Sequence, residues 1–135
     1  MILAMAATSF FACSAAQDME ATQVQDKQAI LQALIDSNRL EKYFHADTLK
    51  ERVPLRMVRG SWYEEGIQLM KFGQPVLFVS SQEVSEPHLI VPVLEIAGNE
   101  ATLSFQYPPE GIAGEAMMEK EPMDWTIKSF KLVEQ

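Results

Sequence analysis

The amino-acid sequence predicts an α+β fold: an N-terminal helix packed on a curved antiparallel sheet of five to seven strands. Three observations carry this. Apolar residues recur at helical spacing just after Asp26, and short β-rich runs broken by glycine and proline follow Pro54. One of these runs, Ala101–Tyr107, alternates strictly between apolar and polar residues. A helix laid across one sheet is the economical way to bury both apolar faces.

Each element has its own local reason. Ala29, Ile30, Ala33, Leu34 and Ser37 fall on one face of a helix, with Gln28, Gln32 and Asp36 opposite, and Asn38 is a natural stop. Leu40, Tyr43 and Phe44 suit a second helical turn ending by Pro54. Leu55–Arg59, Ile67–Phe72 and Val76–Ser80 read as strands separated by Gly60, Gly66 and the turn Gly73-Gln74-Pro75. His88–Ile96 and Ala101–Tyr107 flank Gly98-Asn99, a pair suited to a tight hairpin turn. Ile112–Glu119 and Asp124–Val133 form a last hairpin around Lys120-Glu121-Pro122-Met123.

Length and charge narrow the classes of function. A chain of 135 residues is one domain's worth, and 47% hydrophobic residues suffice for a core without metal or disulfide. The net charge of −8 is uneven: residues 1–17 carry no charge, and residues 83–135 hold ten acids against three bases. A nucleic-acid surface needs clustered Lys and Arg, so nucleic acid is not an expected partner. Adhesion to anionic lipid by charge is disfavoured on the same ground.

The first twelve residues, MILAMAATSFFA, are apolar and of the length of an export segment, too short to span a bilayer as a permanent helix. Small residues follow at Cys13-Ser14-Ala15-Ala16. The stretch Phe10-Phe11-Ala12-Cys13 resembles a bacterial lipobox, with the small Ala12 fitting and Phe10-Phe11 departing from its usual aliphatic and small residues. The resemblance implies lipidation of Cys13, and Ser14 after it implies sorting to the outer membrane. Cleavage after Ala16, where Ser14-Ala15-Ala16 fits the small-x-small rule, is the alternative and gives a soluble periplasmic protein. A lone cysteine cannot form an internal disulfide, and lipidation would consume its thiol. The expected organisation is an export segment at 1–16, a flexible tether at 17–25 and a single α+β domain at 26–135. Contact with the membrane is expected only through a lipid on Cys13.

The order of elements from Asp26 onward resembles the cystatin-like and NTF2-like folds, in which an N-terminal helix lies in a concave meander. That resemblance implies a shape, and no motif accompanies it. Ketosteroid-isomerase-like enzymes share the shape and use buried carboxylates, a role that spacing assigns to neither Asp47 nor Glu95.

No Gly-x-Ser-x-Gly elbow and no phosphate-cradling glycine loop is present, and catalytic residues and cofactors are not assigned. His45 and His88 lie too far apart in sequence for a ligand-spaced pair, and Glu83, Glu86 and His88 read as a solvated loop, so no metal site is assigned. Met117, Met118 and Met123 suit Cu(I) chemically, but neighbours on a strand point to opposite faces. Arg52, Arg56 and Arg59 with Lys50 form the one basic cluster, suited either to an anion or to ion pairs with the acidic C-terminal half. Trp62-Tyr63 is a protein-docking hot spot if exposed and core if buried. A pocket lined by Trp62, Phe72, Phe105 and Trp125, with Tyr43 or His45 at its mouth, would take a small apolar ligand. The reading that ranks first is a non-catalytic binding or accessory module engaging another envelope protein or a peptidoglycan-related partner. A small-ligand pocket of NTF2-like type is second, and periplasmic metal handling is third. The candidate binding residues are Trp62, Tyr63, Arg52, Arg56, Phe105 and Trp125.

Overall fold

A computed structural model describes residues 23–135. Cys13, the export segment and most of the tether lie outside the described residues.

The described part of the first helix, α1, runs over residues 23–35. Residues 23–25 are therefore helical, where the sequence reading placed the end of a tether. Its buried stripe is Ile30, Leu31, Leu34 and Ile35, at i, i+1, i+4 and i+5. Ala29 is exposed, so the stripe is turned toward the larger side chains, each of which contributes about 1.5–3 kcal/mol when taken from water. Asp36 and Ser37 interrupt the helix, and Ser37 Oγ accepts the Arg39 amide to cap α2 (Asn38–Glu41). Asn38 thus opens the second helix and does not close the first. Turns follow to a short 3-10 turn at Lys50–Arg52.

Glutamines on α1 bond to the backbone of residues 68–70. Gln32 Nε2 donates to the Met70 carbonyl at 2.8 Å and its Oε1 accepts the Met70 amide at 3.0 Å. Gln28 Oε1 accepts the Gln68 amide at 2.9 Å. Four residues along a helix advance ~6 Å and two along an extended chain ~6.6 Å, so the two periods match. The polar face of the helix is thus an amide edge that pairs with extended backbone. It also explains why only Met70–Lys71 of the expected strand Ile67–Phe72 is strand, β2: the glutamines hold the residues before it.

β2 turns through Phe72-Gly73 into β3 (Gln74–Pro75), with Lys71 opposite Gln74. β1 (Arg56–Val58) pairs with β4 (Leu77–Val79) in parallel, through Arg56–Leu77, Met57–Phe78 and Val58–Val79. An antiparallel arrangement was expected here. The β2–β3 hairpin lies within the connection from β1 and returns the chain in β1's direction. The remaining strands, β5 (Ile90–Ala97), β6 (Glu100–Tyr107), β7 (Ile112–Glu121) and β8 (Asp124–Glu134), form an antiparallel meander in sequence order. A parallel bridge, Met57–Leu89, sets β1 beside the start of β5. The fold is α+β, and among the described residues the largest hydrogen-bonded sheet has four strands, with two further two-stranded pairs.

Turn chemistry fixes the meander. Gly98 supplies φ of 61° between β5 and β6, and Gly111 supplies 62° before β7. β6 buries Ala101, Leu103, Phe105 and Tyr107 and turns Thr102 and Gln106 outward, as its alternation requires. The inner faces of β6, β7 and β8 share one core with α1. Asp26 ties the two layers together, accepting from Trp125 Nε1 at 3.1 Å and Lys120 Nζ at 3.2 Å.

Candidate functional site

The residues singled out from sequence do not converge on one site, and of the expected pocket set Phe72 and His45 share a cleft without Trp62, Phe105 or Trp125. Trp62 is 4% exposed, and its Nε1 donates to the Val91 carbonyl at 2.7 Å, so it is core. Phe105 packs on Phe130 with ring centres 5.3 Å apart, and Trp125 is buried on Asp26. All three belong to one buried core cluster, and of the three Phe105 also lines a hollow on the outward face of the meander. Tyr63 is half-buried against Phe78, with the Arg59 guanidinium 6.0 Å from its ring. Asp47 and Glu95 are exposed, which removes them as buried carboxylates.

The basic cluster also separates. The 3-10 turn at Lys50–Arg52 breaks the extended spacing that would have aligned Arg52 with Arg56. Arg56 donates to the carbonyls of Glu51 and Pro54, and Arg59 donates to that of Phe78. Arg52, only 9% exposed, donates to the Tyr43 carbonyl at 3.1 Å and to Glu110 Oε2 at 2.9 Å, and lies over the Tyr107 ring. Its partner is thus a carboxylate of the acidic C-terminal half.

Glu110 in turn meets His45 Nε2 through its other oxygen at 3.1 Å. Burial pushes the Glu110 carboxyl up, but the Arg52 hydrogen bond and charge, joined by those of His45, outweigh it and hold the group below its ordinary value. Burial also pushes the Tyr107 hydroxyl up, so it stays protonated at neutral pH. Glu110 was not anticipated: it follows a Pro-Pro pair in a short turn and carries no local pattern.

A cleft of about 290 Å³ opens beside this chain of contacts, lined by Glu41, Lys42, Phe44, His45, Asp47 and Phe72. His45 and Phe72 have φ of 51° and 57°, and no other non-glycine among the described residues is left-handed. Such a conformation costs about 1–2 kcal/mol per residue. Phe72 shares the two-residue hairpin turn with Gly73 at φ 73°, the type I′ requirement of positive φ at both positions, and it is held there edge-on to Phe44 at 5.6 Å. Lys71 is buried between the same two rings, 5.7 and 5.6 Å from their centres, and pairs with Glu41 and, at 3.6 Å, with Asp36.

The outward face of the meander is a second surface. Cross-strand register sets Val93, Ser104, Glu115 and Lys131 in one row and Glu95, Thr102, Met117 and Ser129 in the next. Val93, Met117 and Val133 are 43, 46 and 62% exposed. Two shallow hollows lie among them, sharing Ser104 and Glu115. One end of the face is acidic, where Glu100 opposes Glu119 and Glu121 opposes Asp124. There the Lys128 ammonium, 2.9 Å from Glu119, and the Glu121 carboxyl hold Glu119 below its ordinary value, and hydrogen bonding to Glu119 pushes Glu121 up. Two neighbouring carboxyls share too little positive charge. The sequence showed this face in part, through the polar set Thr102, Ser104 and Gln106.

The methionines do not gather: Met118 is buried, Met117 lies on the open face, and Met123 is exposed at a turn. Among the described residues no group of three or more His, Cys, Asp or Glu is placed to hold a metal ion, and His88 Nδ1 is 2.8 Å from the Glu86 carbonyl. Among the described residues no helix is long and apolar enough to cross a membrane. Comparison with known proteins returns no matching family model, no matching curated protein and no matching solved structure.

Proposed function

We propose that this chain is a non-catalytic binding module of the bacterial envelope, docking a basic segment of an envelope protein on the open face of the meander. The observation that carries the reading is the composition of that face: exposed Val93, Met117 and Val133 around two hollows, with excess carboxylates at one end. Exposed apolar side chains beside unneutralised acid complement a partner that is both basic and partly apolar. The burial of Trp62, Phe105 and Trp125 in the core supports a surface mode of binding over a pocket lined by those aromatic residues. We further read β4–β1 and the meander as one curved six-stranded sheet, joined at the Met57–Leu89 bridge and covered on one face by α1. Its cystatin-like or NTF2-like shape and its anchoring through a lipidated Cys13 belong to the same proposal.

A photocrosslinking amino acid placed at Met117 in the full chain, in intact cells, tests it. The expected product joins position 117 to a Lys/Arg-rich segment of an envelope protein in the membrane fraction. It is lost in a Glu119→Lys/Glu121→Lys variant, absent when the crosslinker replaces the exposed Gln82, and shifted out of the membrane fraction by Cys13→Ala. Equal capture from position 82, or capture unchanged by the charge reversal, would sink the docking face.

A further inference from the structure

We propose that the cleft beside α2 is a second binding site, for a small alkylammonium ligand, built from Phe72, His45 and Asp47 and independent of the docking face. The fold already demonstrates the chemistry, since the Lys71 ammonium rests against Phe44 and Phe72 with a carboxylate from Glu41. Rings and carboxylates together select an ammonium group through the ring quadrupole and through charge-assisted hydrogen bonds. The same rings border the cleft, and Asp47 lies exposed on its lining. Its volume of about 290 Å³ suits a ligand of a few heavy atoms.

His45 completes the acceptor set. Glu110 is held ionised by the buried Arg52, and an ionised carboxylate accepts only, so His45 Nε2 donates to it whether the ring is neutral or charged. In the neutral ring Nδ1 is the acceptor nitrogen of an imidazole whose orientation is fixed from behind. The cation on the lining, Lys42, lies over the Tyr43 ring at 5.2 Å. Glu110 and Arg52 act as positioning residues, one step removed from the ligand.

The test is a titration of the full chain with n-butylammonium chloride at constant ionic strength, followed by amide and imidazole NMR. Saturable shifts confined to residues 41–47 and 72 are expected, weakened about tenfold in Asp47→Asn, the scale of one charge-assisted hydrogen bond. Glu110→Gln should weaken binding and also convert the His45 ring nitrogens from one fixed tautomer to an averaged pair, with the amide shifts of the β6–β7 core unchanged. Equal shifts with sodium chloride or sodium butyrate, shifts centred on Glu119 and Glu121, or binding unchanged in Asp47→Asn would overturn the assignment.

Discussion

At Gly114 the absence of a side chain is a packing requirement. The residue faces Phe105 across the β6–β7 ladder, and an added Cβ would stand 2.5 Å from Phe105 Cζ and closer still to the Lys131 carbonyl oxygen. The ring fills the space above the glycine, which protects an otherwise weak strand position. Gly114→Ala is expected to destabilise the protein by about 1–3 kcal/mol, the usual cost of overpacking, as a lower urea midpoint at unchanged slope. A neutral or stabilising effect would mean that Phe105 moves freely. The neighbouring pair Met117 and Met118 makes the complementary point. Their opposite orientations were legible in the sequence because strand parity is a local rule. The partner of Arg52 was not, because 58 residues separate it from Glu110 and no local pattern links them.

At the scale of elements, local periodicity and tertiary pairing diverge most at α1. The helix was readable from its spacing, but nothing local in its polar face says what the glutamines meet. Only the extended segment at residues 68–70 turns Gln28 and Gln32 into backbone partners. Replacing both by alanine removes the three hydrogen bonds to this backbone and an exposed one from Gln32 to Asp36, and ~1 kcal/mol for each of the three gives an expected loss of about 1–3 kcal/mol. Amide exchange should accelerate at Gln68 and Met70 while β6 stays protected, and unchanged exchange at those two amides would contradict the assignment. The parallel pairing of β1 with β4 was hidden for a related reason. A short apolar run shows that a strand exists but not which edge it joins or in which sense. The meander was more visible, since two-residue turns such as Gly98-Asn99 leave adjacent strands little choice but to pair.

Across the whole molecule, Asp26 is the bond between layers. It joins the helix to a tryptophan 99 residues away on the last strand and to Lys120 on β7. Asp26→Ala should cost about 1.5–3 kcal/mol, the range for hydrogen bonds to a charged group, and shift Trp125 emission to the red. Helix ellipticity and tryptophan fluorescence should still be lost together, because α1 and the sheet share one core cluster. Melting of the helix ahead of the sheet would show two cooperative units instead. What the sequence alone determined is whatever depends on neighbours along the chain: the α+β class, the buried parity of β6, the turn at Gly98-Asn99 and the acidic C-terminal half. What the tertiary structure decided is whatever depends on meeting distant residues. It made Trp62 core, gave Arg52 to Glu110, made an edge of the α1 glutamines and brought His45 and Phe72 to one cleft. The physical reason is that periodicity is a property of one segment, whereas a partner is a property of two.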